Sequence, residues 1–358
     1  MKSEPRPPAV AGRSSAIPSS LLRYAAIAEP RLAAFLDEKG AKLTGLPVDL
    51  QPAHALLRDY VLRGGKRLRG ALVVLGHEAA GGRAEDALLP SLGCELLHAS
   101  LLIHDDFMDR DELRRGGPTL HTSLGRAHGE HIGASLAILI GMLVQTWSYE
   151  LLLTTAGPSV RVAAALRLFN AAIEEVTIGQ SLDVLAPSAG ELSAAAVLEV
   201  ERRKTGGYTF ELPLRLGALL GGASPALDDQ LQRYARPLGQ AFQIADDLLG
   251  TFGAPEVTGK PNASDLREGK RTMLITRALQ AATPSDAQAL REGLGRGDRT
   301  DTEGLRALLH RTSAPAAARV EAERLCAEAI AALDRGPMPV PVAASLAEIA
   351  AYAVGRAL

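Results

Sequence analysis

The chain has 358 residues, 47% of them hydrophobic, with 39 Lys and Arg against 41 Asp and Glu. A large core is possible, and the near-neutral balance supplies no strong field for nucleic acid or an anionic membrane surface. Aromatic residues make up only 4% while Ala and Leu dominate and β-branched runs are scarce, which favours an all-α protein.

The first segment, MKSEPRPPAVAGRSSAIPSS (1–20), is rich in Pro, Ser and Ala and lacks the apolar core of a signal peptide. It is expected to be a disordered tail, either a passive extension or a docking segment for another protein. Helical periodicity then fills 21–358 in blocks separated by punctuators such as GLP at 45–47, AAGG at 79–82, TTAGPS at 154–159, GGASP at 221–225 and ATPSD at 282–286. These intervals predict ten or more helices in one large bundle around a central cavity. The stretch 132–149 carries no charge over 18 residues, as a membrane span would. Gly, Ser, Gln and Thr interrupt it, no basic cluster flanks it and no second span is evident, so a buried central helix of a cytoplasmic protein is expected. Cys94 and Cys326, far apart in apolar helical contexts, suit reduced core thiols. The segment GTFGAPEVTGKPNASDLREGK (250–270) predicts a long loop over a site.

LLHASLLIHDDFMDRDELRRG (96–116) passes from a nearly continuous apolar run into carboxylates. On a helix Asp109 falls about 40° and Asp106 about 100° from Asp105, so the three are expected on one face, with His98 on the same side about two turns deeper. Acids so crowded repel one another, and a cation should bind there. A second pair, Asp246 and Asp247, follows the apolar run GQAFQIA, with Gln243 on the Asp246 side. Two helices ending in paired aspartates would set acids across one cavity mouth, as hard oxygen ligands for Mg²⁺. Zinc is disfavoured because Cys is nearly absent and no His pair has ligand spacing.

Cations accompany the acids. GGKRLRG (64–70) places Lys66 and Arg69 after a Gly pair, Arg114 and Arg115 follow the first acids, Lys204 and Thr205 precede Gly206–Gly207 at an expected helix break, and Lys260 and Lys270 lie in the long loop. Basic groups beside Mg²⁺-binding acids describe a polyanion site. A substrate with a diphosphate head and a hydrocarbon tail fits that mouth and the apolar well beneath it.

The ordered set GGKRLR, ELLHASLLIHDDFMD, RRGGPTLH, GQSLD, KTGGYTF, FQIADDLLG and GKPNASDLREGKRT, over roughly residues 55–275, resembles the trans-isoprenyl diphosphate synthases of the polyprenyl synthetase family. The resemblance implies an all-α isoprenoid-synthase fold, a homodimer, and three Mg²⁺ ions holding an allylic diphosphate (dimethylallyl, geranyl or farnesyl) between the acidic motifs. It implies metal roles for Asp105, Asp106, Asp109, Asp246 and Asp247 and allylic diphosphate contacts for Arg114, Lys204 and Lys260. Lys66, Arg69, His98 and Arg115 would take the diphosphate of isopentenyl diphosphate, and Thr205 and Gln243 would stabilise the carbocation. Three positions depart from the family pattern: Gly250 stands where many relatives carry a third aspartate, Met142 replaces a common aspartate, and the terminus VGRAL lacks a basic end. A class I terpene cyclase would carry a different second metal motif, and a non-catalytic partner subunit would have lost acidic residues. Product length is expected to be set below Asp105 by Leu97, Ser100 and Leu101. Relatives that stop at fifteen carbons carry aromatics at the positions of Ser100 and Leu101, so a geranylgeranyl product is expected first, farnesyl or longer products second.

Overall fold

The computed structural model describes residues 16–186, 193–253 and 263–355. Among them the fold is all-α, with one two-residue antiparallel ladder pairing Leu113–Arg114 with Gly117–Pro118. The first helix, α1, begins at Ser19 and runs to Ala41, so helix starts slightly inside the segment expected to be a tail. α2 (Gln51–Leu62), α3 (Leu68–Ala79), α4 (Leu88–Met108), α5 (Leu120–His128), α6 (Glu130–Leu153) and α7 (Ser159–Leu185) follow. α8 (Ala194–Glu201) continues into a π-helical stretch, Arg202–Glu211, and then α9 (Leu212–Gly221). α10 (Pro225–Phe252), α11 (Ser264–Glu268), α12 (Met273–Ala281), α13 (Pro284–Gly293), α14 (Thr302–Arg311), α15 (Ala314–Leu333) and α16 (Val340–Gly355) complete the order.

α4 explains its own composition. Leu92, Leu96, Ala99 and Ile103 face the main core, while Cys94 and Leu97 face a second apolar cluster with Val73, Leu152, Phe169, Leu212 and Leu216. A helix that is apolar on both flanks belongs in the interior. α10 buries Leu227, Leu231, Tyr234, Leu238, Ala241, Ala245 and Leu248 at helical spacing. Its start is set by Ser224, whose hydroxyl accepts the Leu227 N–H at 3.3 Å, with Pro225 at the first helical position. Cys94 and Cys326 are free, buried thiols.

Two expectations are corrected. Helices spanning Ala84–Met108 and Glu130–Leu153 are both long and apolar enough to cross a bilayer, whereas only the second stood out in the sequence. They pack along each other, α4 in the interior and α6 with Leu139, Met142 and Leu143 exposed on its outer face. The region 250–270 is not one loop: α10 continues through Phe252, α11 occupies Ser264–Glu268, and Lys260 lies outside the described residues.

Candidate active site

α4, α7, the π-helical stretch and α10 surround a cavity of about 1590 Å³ whose mouth carries the acids. Asp105 lines it on the last turn of α4, and Asp109 caps that helix, its N–H donating to the Asp105 carbonyl at 2.8 Å. Asp106 does not share their open face. It is fully buried, with the Tyr60 hydroxyl donating to Oδ2 and Arg114 Nε donating to Oδ1, each at 2.6 Å. A turn of 100° per residue carries Asp106 off the cavity side and against α2. Arg114 reaches it because Arg115 and Gly116, at φ 53° and 72°, reverse the chain within the ladder. The same guanidinium pairs with Asp111 at 3.1 Å and Asp105 at 3.6 Å. Burial raises the pKa of the Asp106 carboxyl against the pull of Arg114 and Tyr60. Burial also opposes the Arg114 charge, but Asp106, Tyr60 and Asp105 outweigh it and hold the guanidinium above its ordinary pKa. Asp106 is thus a buried clamp for Arg114, which corrects its expected place among the open metal-facing acids.

Lys204 does not sit at a helix break. The chain passes through it in the π-helical stretch, an i→i+5 bonded widening. Glycines let neighbours close on this stretch from both sides: a Cβ on Gly179 would lie 2.4 Å from the Lys204 nitrogen, and one on Gly239 would lie 3.1 Å from the Gly206 Cα. Lys204 Nζ donates to Asp183 at 2.6 Å and stands 3.3 Å from Asp105, whose Oδ1 also accepts from Gln180 Nε2 at 3.2 Å. Burial disfavours the ammonium, but Asp105 and Asp183 keep its pKa raised. Thr205 lines the cavity beside it. Lys270 donates to Asp109 at 3.0 Å and pairs with Glu268 at 2.8 Å, tying the first acids to the segment after α11.

Across the mouth, Asp246 and Asp247 line the cavity from within α10 rather than from its end. Gln243 Nε2 donates to Asp247 Oδ1 at 2.9 Å, while the buried Asp247 Oδ2 has no hydrogen-bond partner. Glu201, at the end of α8, lines the same cavity and accepts the Met273 N–H at 3.1 Å. Burial pushes both carboxyls up, reinforced at Asp247 by Glu201 and Asp265 and at Glu201 by Asp183. An orphaned buried carboxylate oxygen on a residue that shares its cavity with Asp105 fits a divalent cation chemically. Among the described residues no three carboxyl, imidazole or thiol groups are close enough to hold an ion unaided.

A second cationic group, Lys66, Arg69 and Arg115, lines the same cavity. Lys66 Nζ stands 4.8 Å from the centre of the Tyr352 ring, and the Arg69 guanidinium stacks 4.4 Å over Tyr208 while donating to Thr209 at 2.8 Å. Arg115 donates to the Gly64 carbonyl at 3.2 Å. Arg67, in a left-handed conformation at φ 48°, caps the start of α3 and pairs at 3.7 Å with the buried Glu95, which in turn accepts the Gly70 N–H at 2.8 Å. The Tyr208 hydroxyl and His98 Nδ1 are 3.4 Å apart. Burial, then Arg69, Arg115 and Arg114, depress the His98 pKa well below its usual value, so the imidazole is neutral here and hydrogen-bonds rather than carrying charge.

Beneath the acids, Leu101 lines the cavity and packs on the second cluster. Ser100 does not line it: fully buried, it donates to the Gly141 carbonyl at 2.8 Å and belongs to the α4–α6 contact. Leu97 is buried within the cluster below, beside Phe169, whose ring meets Tyr149 edge-on at 5.3 Å. Sequence reasoning assigned no roles to Tyr60, Asp111, Gln180, Asp183, Glu201, Tyr208 or Phe169. Gln180 and Asp183 had a local signal, an i, i+3 pair in GQSLD, whereas Tyr60 meets Asp106 across 46 residues of chain.

Such a mouth over an apolar well defines an all-α enzyme for substrates with anionic heads and hydrocarbon tails. The polyprenyl synthetase family profile matches residues 51–311, and the chain belongs to that family. A geranylgeranyl diphosphate synthase of Methanosarcina mazei is 35% identical over 240 residues, 67% of this chain and 70% of that one. A (2E,6E)-farnesyl diphosphate synthase of Mycobacterium tuberculosis is 39% identical over 212 residues, 59% of this chain and 56% of that one. Among solved structures, a geranylgeranyl pyrophosphate synthase from Corynebacterium glutamicum, complexed with isoprenyl diphosphate and magnesium, superposes with a TM-score of 0.90 at 34% identity, covering 94% of this chain and 99% of that one.

Proposed function

We propose that the protein is a short-chain trans-prenyl diphosphate synthase, joining isopentenyl diphosphate to an allylic diphosphate and forming geranylgeranyl diphosphate. The observation that carries this is the pairing of two distinct cationic groups with two acid clusters around one cavity. Its volume exceeds the roughly 300–1,000 Å³ of an ordinary small-molecule site. Arg114, Lys204 and Lys270 stand beside the acids, where the allylic head would lie. Lys66, Arg69 and Arg115 form a second cationic group on the same cavity, which supports two diphosphate sites over the single one of a terpene cyclase. The first acid cluster is complete and the second keeps Asp246 and Asp247, which disfavours a non-catalytic subunit.

Mg²⁺, when bound, would neutralise the leaving diphosphate and assist its departure as a Lewis acid. Asp105, Asp109, Asp246 and Asp247 would hold up to three such ions. Arg114, fixed by the buried Asp106, and Lys204, held by Asp183 and Asp105, would orient the head with little reorganisation. Thr205 and Gln243 present a hydroxyl and an amide to the carbon from which the head departs. Leu101, Leu102, Val176 and Phe242 line the well and would keep water from the cation. The departing diphosphate would take the proton. Homodimer formation through the exposed α6 face around Leu139, Met142 and Leu143, and a cytoplasmic site of action, complete the proposal.

The test is incubation of purified protein with Mg²⁺, isopentenyl diphosphate and dimethylallyl, geranyl or farnesyl diphosphate, with products sized after dephosphorylation. A twenty-carbon product from each primer is expected. Absence of any condensation would overturn the reading.

A further inference from the structure

Glu95 lines the cavity from α4, one turn before His98, and its side chain is only 4% exposed. None of the roles set out above uses it. A carboxylate so deeply placed needs partners, and it finds them at the start of α3. Its Oε1 accepts the Gly70 N–H at 2.8 Å, and its Oε2 stands 3.7 Å from the Arg67 guanidinium. Gly70 is the third residue of α3, so its N–H is among the first donors of the helix, which find no carbonyl within it. Arg67, the residue before the helix, supplies no side-chain hydrogen bond to that end. Glu95 therefore takes the place of a capping side chain from a different helix, with its charge at the positive end of the α3 dipole. The Arg67 guanidinium also donates to the Val61 carbonyl at 3.0 Å and lies 3.5 Å from Glu29, which anchors the turn into α3 on its other side. Lys66 and Arg69 are the immediate neighbours of the two attachment points, Arg67 and Gly70.

We propose that Glu95 is a positioning residue: by capping α3 it holds Lys66 and Arg69 in the geometry that receives the diphosphate of isopentenyl diphosphate. The role rests on the function argued above and adds to it the group that keeps the second site in shape. Its consequence has the opposite sign from a count of charges. Deleting an acid beside a cationic group should strengthen anion binding by Coulomb attraction alone, whereas deleting the cap that orders the group should weaken it, because the ligand must then pay to order the turn.

Calorimetric titration of the full chain with isopentenyl diphosphate in metal-free buffer tests this, alongside kcat, the KM for each substrate and the thermal melt. Glu95→Ala should bind isopentenyl diphosphate about tenfold more weakly. Its KM for that substrate should rise in proportion, while kcat and the KM for geranyl diphosphate change by less than about twofold. Glu95→Gln, which keeps an oxygen for the Gly70 N–H and discards the charge, should recover binding to within about threefold of the wild type. Glu95→Asp, which keeps the charge but is one carbon too short to reach Gly70, should lose about fivefold, and it carries the test should Glu95→Ala fail to fold. Unchanged or tighter binding in Glu95→Ala or Glu95→Asp, no recovery in Glu95→Gln, or equal rises in both KM values would overturn the assignment. A wild type that neither binds isopentenyl diphosphate nor condenses it would instead overturn the parent reading of function.

Discussion

Removing the Asp106 carboxylate should cost far more stability than removing its neighbour. The Asp106 side chain is 1% exposed and satisfies two buried groups, the Tyr60 hydroxyl and the Arg114 guanidinium. Breaking a buried ion pair from one side costs about 3–5 kcal/mol, since the other charge is left behind. Arg114 keeps Asp111 at 3.1 Å and Asp105 at 3.6 Å, which draws the figure toward the lower end. The stranded Tyr60 hydroxyl adds about 1–3 kcal/mol for an unmet buried group. Asp106→Ala should therefore lose on the order of 4–6 kcal/mol. Asp105 is 21% exposed and its partner Lys204 retains Asp183, so Asp105→Ala should lose about 1 kcal/mol or less while abolishing turnover. Urea unfolding of metal-free protein separates the two. Equal losses in both variants would refute the clamp assigned to Asp106.

Leu101→Phe should shift the product one five-carbon unit shorter, because Leu101 lines the well; an unmoved product would place the floor elsewhere. Ser100→Phe should leave chain length alone and destabilise by about 1–3 kcal/mol or more through overpacking against α6, and a shorter product from a stably folded Ser100→Phe would contradict the placement of Ser100. Phe169→Ala should admit longer products at a cost of about 3–5 kcal/mol, with product analysis by chain length deciding. His98 supplies a pH test. Its folded pKa is depressed, so its contribution to stability is complete above the unfolded value of about 6.5 and is lost as pH falls below it, where the unfolded chain takes up a proton that the folded one refuses. His98→Asn should flatten the decline in stability between about pH 7 and 5, and a variant with the wild-type slope would show that His98 is not buried neutral.

The sequence carried the helical class because periodicity and composition are local properties, and α4 and α10 emerged where apolar residues recur every three or four positions. It also carried Asp105, Asp246, Lys204 and Arg69 to one cavity. What it could not carry was the direction of each side chain beyond the ideal wheel. Asp106 lay within 100° of Asp105 and was grouped with it, but Tyr60, 46 residues earlier, draws it inward. Ser100 was placed on the well by its distance from the acids, yet α6 packs against that flank of α4. The π-helical stretch looked like a break because two adjacent glycines usually end a helix, whereas here they lie where α10 packs closely against it.

The left-handed residues around the cavity have a consequence for the protein at rest. Arg67 and Arg115 on one wall, and Ala263 beside Asp265, hold φ between 48° and 57°, a conformation that costs a residue with a Cβ about 1–2 kcal/mol. The mouth is therefore assembled from backbone that prefers another shape, and it is held by what lies around it. In the absence of ligand this rim should be the first part to exchange its amide protons and the first to admit a protease, well before the buried helices open. A diphosphate seated against Arg115 would pin the segment that has most to gain from being pinned. Storage with inorganic pyrophosphate and a divalent cation should then prolong the life of the whole chain, because its ageing begins at the mouth.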